Sequence, residues 1–141
     1  MSDPVIIYFL GGPGVASISF GLFGGIGPLK YPNPDNSSLI ENPYTWNKRA
    51  NLLFIDNPAG VGYSYGDPNN LKHDLLHNDI SSSDDVFKMI KMFYKDWPEL
   101  LPNSIYTSGI SYGGIYAPYL AWKMHLHNLE ADLSTNYTMK F

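Results

Sequence analysis

Val5-Ile6-Ile7-Tyr8-Phe9-Leu10 is an unbroken apolar run, closed by Gly11-Gly12-Pro13-Gly14. A strand made of these residues has no polar face to offer water, so it must be covered on both sides. Such strands belong to parallel sheets flanked by helices. Asn51-Leu52-Leu53-Phe54-Ile55-Asp56 repeats the pattern and stops at Asn57-Pro58. Ile105-Tyr106-Thr107 is a third, shorter run closed by Ser108-Gly109.

Helical patterns separate these runs. Val15 to Phe23 accommodates a short helix, punctuated by Gly24-Gly25 and Gly27-Pro28. Residues 28–45 are rich in Pro, Asn and Ser and read as an irregular surface stretch. Val86, Ile90, Phe93 and Trp97 fall on one helical face, with Lys88, Lys91, Lys95 and Asp96 largely off it. Ser82-Ser83-Asp84-Asp85 reads as the capping start of that helix and Pro98 as its stop. A further helix is expected from about Ala117 to Asn128. The order strand, helix, strand, helix, strand, helix is the grammar of an α/β fold with a parallel sheet of about three strands. Three strands leave two outer edges unpaired. The chain therefore reads as the middle of a larger sheet, in one partial domain over residues 1–141.

Composition excludes several functions. Hydrophobic residues at 44% and charged residues at 16% describe a globular chain. The net charge is -4 and no basic stripe appears, so nucleic acid is not an expected partner. No apolar run reaches the roughly 18 residues of a membrane span. Met1-Ser2-Asp3-Pro4 leads straight into the first run without a basic segment, so no signal peptide is expected. Cysteine is absent, which removes disulfides, thiolate zinc sites and a cysteine nucleophile. Asn36-Ser37-Ser38 and Asn136-Tyr137-Thr138 fit the N-glycosylation pattern and are read as chance matches.

The chemistry concentrates in Gly109-Ile110-Ser111-Tyr112-Gly113, a G-x-S-x-G. Where a strand turns sharply into a helix, this pattern exposes its serine on a strained turn, with glycines allowing close approach. The third run precedes it and a helix follows, so Ser111 is the candidate nucleophile. The bland alternative is a Gly/Ser-rich turn. An oxyanion hole needs two N–H donors. Tyr112 follows the serine, and the loop after the first run supplies Gly11 or Gly12, since Pro13 has no N–H.

Three segments, "FLGGPGVAS", "NPYTWNKRANLLFIDNPAGVGYSY" and "TSGISYGGIYAP", resemble in order and spacing the signature blocks of the serine carboxypeptidases. The resemblance runs from about Val5 to Met124. It implies a partial α/β-hydrolase fold and release of C-terminal residues from peptides. By resemblance Ser111 is the nucleophile, and Gly12 and Tyr112 give the oxyanion N–H groups. Gly11 binds the substrate's terminal carboxylate through its N–H, and Tyr112 lines the pocket for the residue before the scissile bond. A peptide is the implied substrate. No metal or other cofactor is implied, and the family's compartments are secretory, lysosomal or vacuolar.

The departures are equally specific. Leu10 stands where the family has Asn, Ile110 and Gly25 where it has Glu, and Val15 where it has Cys. The lost polar side chains grip the terminal carboxylate in the family, and a buried carboxylate without partners is costly. The oxyanion donors are backbone groups and survive side-chain changes. An acyltransferase or esterase-like relative therefore stays open beside the peptidase.

A serine also needs a base and an acid, in the order Ser, acid, His for this fold. His125 and His127 follow Ser111, at roughly 20 Å along a helix with 1.5 Å rise per residue. They read as surface histidines near a helix end. His73 and His77, with Asp74 and Asp79 nearby, lack a third metal ligand and read as a polar connector. Asp56 is in the wrong chain position for the triad acid. By resemblance, the acid and histidine lie beyond residue 141. These 141 residues are then expected to be an inactive fragment of a hydrolase, or a non-catalytic interaction module completed by a second chain.

Overall fold

The first apolar run is the central strand. The computed structural model describes residues 3–32, 38–74, 78–134 and 139. In chain order the elements are β1 (Val5–Phe9), α1 (Ser17–Phe23), β2 (Leu29–Lys30), β3 (Ile40–Glu41), β4 (Asn51–Phe54), α2 (Leu71–Asp74), α3 (Asp79–Asp96), β5 (Ile105–Gly109) and α4 (Gly113–Ser134). The three strands form one sheet in the order β4-β1-β5. Both pairings are parallel, with Ile7 opposite Leu53 on one side and Thr107 on the other. The expected partial α/β architecture is observed. Among the described residues, β4 and β5 each have a single neighbour.

Both faces of β1 are covered, as its unbroken apolar sequence requires. Val5, Ile7 and Phe9 alternate onto one face and join Ile90, Leu120 and Met124 of α3 and α4 in the core. Each fully buried side chain of this kind contributes about 1.5–3 kcal/mol. Tyr8 packs edge-on to Phe54 at 5.9 Å. Gly21 of α1 lies against that pair, and a Cβ there would sit 2.4 Å from the Phe54 ring. So α1 lies close on β1 and β4 because residue 21 has no side chain.

Three expectations need correction. Residues 28–45 contain a small antiparallel pair, Leu29–Lys30 with Ile40–Glu41. Helix α3 starts at Asp79, capped by Asn78 rather than at Ser82-Asp85. The Asn78 side chain accepts from Ser81 N–H at 2.9 Å, and Ser81 Oγ accepts from Asn78 N–H at 3.0 Å. Ser82 and Ser83 are buried helix residues whose small size suits close packing. The buried stripe of α3 is Val86, Ile90 and Tyr94, whereas Trp97 is 53% exposed. Phe93 and Trp97 instead line an open cleft beside β4, where no further strand covers them among the described residues. Replacing Asn78 by Ala removes the reciprocal cap and is expected to cost about 1 kcal/mol in urea denaturation.

Helix α4 also begins earlier and ends later than its sequence pattern indicated. It runs from Gly113 to Ser134, so Gly113 and Gly114 lie within it, as does Pro118. Pro118 is the sixth residue of α4, past the first turn, so the helix forgoes the bond that an N–H at this position would make to Gly114 C=O.

Candidate active site

Strand β5 ends at Gly109 and α4 starts at Gly113, so only Ile110, Ser111 and Tyr112 make the turn. Ser111 has φ 58, the one positive φ among described residues other than glycine. That left-handed backbone costs a non-glycine residue of order 1–3 kcal/mol and persists only where the surroundings impose it. Here three contacts impose it. Ile110 N–H donates to Phe9 C=O at 3.2 Å, Gly113 N–H to Ile110 C=O at 2.9 Å, and Gly114 N–H to Ser111 C=O at 2.9 Å. Ser111 is exposed at the tip.

The flanking glycines close the turn. A Cβ on Gly109 would lie 2.0 Å from the Gly113 carbonyl oxygen. One on Gly113 would lie 2.4 Å from the Phe9 carbonyl oxygen. Gly114 differs, since a Cβ there meets nothing within 4 Å. Substituting Ser111 by Gly relieves the strained φ at some cost in chain entropy. A net stabilisation of roughly 1 kcal/mol is expected, read as a higher urea midpoint.

The glycine loop after β1 sits directly against this turn. A Cβ on Gly11 would be 2.4 Å from Tyr112 N and 2.8 Å from Ser111 Cβ. Gly12 has φ 118 and Gly14 φ 90, conformations that favour glycine. The loop is held by Val15 N–H to Gly11 C=O at 3.1 Å and by Leu10 N–H to Ser17 Oγ at 2.9 Å. No acceptor among the described residues takes the N–H of Gly12 or Tyr112. The sequence-predicted residues Gly11, Gly12, Ser111 and Tyr112 thus meet in one place, although the glycines precede the serine by about 100 positions.

Leu10 is half-buried and Ile110 is 48% exposed at the same turn. Gly25 offers no side chain, and a Cβ there would meet nothing within 4 Å. Asp56 is buried and structural. Its carboxylate accepts from Ile18 N–H and Tyr63 N–H, both at 3.1 Å, tying the start of α1 to the loop after β4.

In the sequence Asp79 stands out only as a neighbour of histidines. In the fold its two carboxylate oxygens accept the Tyr112 hydroxyl at 3.0 and 3.2 Å. That bond, with lesser help from burial, pushes the Tyr112 phenol above its ordinary pKa. The partners are 33 residues apart, and no local pattern announces the pair. Tyr112 also packs edge-on to Tyr116 at 5.3 Å.

His125 and His127 lie in the second half of α4. His125 is exposed, as expected of a surface histidine. His127 is half-buried and stacks edge-on against Phe87 at 5.5 Å, because α3 packs along that side of α4. His77 and both glycosylation asparagines lie outside the described residues. No group of three metal-ligating side chains occurs among the described residues. No described helix is long and apolar enough to cross a membrane.

Residues 1–139 match the family model of the serine carboxypeptidases. The chain belongs to the serine carboxypeptidase family. Serine carboxypeptidase-like 48 of Arabidopsis thaliana is 39% identical over 131 residues, covering 93% of this chain and 24% of that protein. Serine carboxypeptidase 3 of Hordeum vulgare is 36% identical over 130 residues, covering 92% of this chain and 24% of that protein. Among solved structures, a prohormone-processing carboxypeptidase from Saccharomyces cerevisiae superposes with a TM-score of 0.77 at 31% identity. That match covers 91% of this chain and 27% of the other. The chain thus spans about a quarter of the length of the family members it matches.

Proposed function

We propose that these residues carry the nucleophile and oxyanion hole of a serine carboxypeptidase-like hydrolase. The observation that carries the reading is Ser111 at positive φ with Gly11 packed on it. Ser111 Oγ attacks the substrate carbonyl, while the N–H groups of Gly12 and Tyr112 stabilise the negative oxygen that forms. A base takes the serine proton and returns it to the departing amine or alcohol, leaving an acyl-enzyme. Water then releases the acyl group as an acid. His125 and His127 lie roughly 18 Å or more along α4 from its start at 1.5 Å rise per residue, so this reading takes the base and its acid from outside the described residues. The segment is read as the central part of one α/β-hydrolase domain.

A second reading, an acyltransferase or esterase-like enzyme, is favoured by Leu10, Ile110 and Gly25. None of these side chains can donate a hydrogen bond to a substrate carboxylate. A free C-terminus is then poorly held, and an alcohol can replace water as acceptor of the acyl group.

The test uses the longest chain its gene encodes, beside the same chain with Ser111→Ala. Blocked dipeptide acids and the matching methyl esters are followed by mass spectrometry. Ser111-dependent loss of the C-terminal residue supports the peptidase. Turnover of the esters alone supports the second reading. Absence of any Ser111-dependent turnover would leave a non-catalytic member of the family.

A further inference from the structure

The serine turn is tied to the rest of the fold at two levels. Its backbone bonds to Phe9 C=O through Ile110 N–H. Among the described residues, the side-chain hydrogen bonds that leave Ile110–Tyr112 run from the Tyr112 hydroxyl to Asp79 and nowhere else. Asp79 is half-buried and is the first residue of α3. That end of the helix is held firmly. Asn78 and Ser81 cap it reciprocally, and the buried Ser82 hydroxyl donates to Asn57 Oδ1 at 2.9 Å. Further along, Val86 and Ile90 lock α3 into the core. The Asp79 carboxylate is thus a fixed acceptor. The Tyr112 ring is held by Tyr116 along its body and by Asp79 at its tip. The bond keeps the phenol above its ordinary pKa, so at neutral pH the hydroxyl retains the proton it donates.

We propose that Asp79 is a positioning residue for the oxyanion hole, holding the Tyr112 ring so that the backbone N–H of the same residue stays aimed beside Ser111. Tyr112 is the junction between the strained serine and α4, and its C=O already accepts from Ile115 N–H at 2.9 Å. Ser111 at positive φ gains by relaxing, so a turn with one anchor fewer drifts in that direction. Fixing the ring to α3 opposes the drift. Ser111 as nucleophile and Tyr112 as donor are the reading on which this rests. A donor mis-aimed rather than removed costs less than the 10²–10³ of a missing one, and about tenfold in rate is expected.

The test measures the rate of Ser111 labelling by a fluorophosphonate in the longest chain the gene encodes. Asp79→Ala and Tyr112→Phe are each expected to slow labelling about tenfold. The double variant is expected to be no slower than either single one, because both remove the same bond. Asp79→Asn keeps an acceptor for the Tyr112 hydroxyl and is expected to restore the rate to near wild type. Ile90→Val weakens the core of the same helix without reaching the turn, and is expected to lower the urea midpoint and leave the rate of the folded protein unchanged. Losses that add in the double variant, or Asp79→Asn as slow as Asp79→Ala, would overturn the positioning role. Equal slowing in Ile90→Val would trace the loss to stability and overturn it too. If wild type is not labelled, the serine reading fails on its own, and amide exchange at residues 111–113 by NMR decides the positioning. Faster exchange in Asp79→Ala, reversed in Asp79→Asn, upholds it. Equal exchange in all three proteins sinks it.

Discussion

Gly11→Ala is expected to silence Ser111 without touching it. The new Cβ falls 2.4 Å from Tyr112 N, 2.8 Å from Ser111 Cβ and 2.9 Å from Ile110 O. None of these atoms is the end of a flexible side chain, so either the loop or the turn must shift. Whichever moves, Gly12 N–H and Tyr112 N–H no longer aim at one point. Removing a single oxyanion donor costs about 10²–10³ in rate, so a loss of that size is expected in serine-probe labelling. Overpacking adds a stability cost of about 1–3 kcal/mol. Gly114→Ala is the matched control, because its Cβ meets nothing within 4 Å. Alanine at that helical position is expected to leave labelling intact and raise stability by up to about 1 kcal/mol. Equal labelling in wild type and Gly11→Ala would show that the loop does not pack on the turn in this way.

Gly109→Ala is expected to have the largest effect on folding. Its Cβ would lie 2.0 Å from the Gly113 carbonyl oxygen and 2.2 Å from the carbonyl carbon. The strand could not then turn into α4 within three residues. Helix α4 carries Tyr116, Ala117, Leu120 and Met124 of the core, so its displacement opens that core. A loss of about 3 kcal/mol or more is expected, read as a lower urea midpoint with loss of Ser111 labelling. An unchanged midpoint would mean that the turn is less tight than described.

Much of this was legible in the sequence, for identifiable reasons. An apolar run without alternation, such as Val5 to Leu10, has one stable home, a strand covered on both faces. Its pairing with two similar runs gave the parallel sheet. The G-x-S-x-G between a strand and a helix marked Ser111, and the earlier glycine loop marked Gly11 and Gly12. What escaped were features decided by tertiary neighbours. The stripe of α3 could be drawn through Trp97 or through Tyr94 on spacing alone, and it is Tyr94 that is buried in the core. The early start of α4 at Gly113 follows from the close approach of that glycine to the carbonyl of Phe9, which no local pattern announces. Asp79 gave no signal, because its partner Tyr112 lies on a different helix connection 33 residues away.

The side chains that the family resemblance assigns to gripping a terminal carboxylate are ones this chain replaces. Leu10 and Ile110 offer alkyl groups beside the serine, and Gly25 offers no side chain at all. The backbone donors depend only on the fold of the two loops. In the proposed site, reactivity of the serine and grip on a peptide terminus are therefore separable. Loss of the second does not entail loss of the first.

The central claim is that Ser111 is a nucleophile placed by its turn. It is tested most directly by intact-mass and peptide mapping after treating the gene's longest product with a fluorophosphonate. The account predicts one adduct, mapped to Ser111, that disappears in Ser111→Ala. An absence of adduct, or an adduct on another residue that persists in Ser111→Ala, would contradict it.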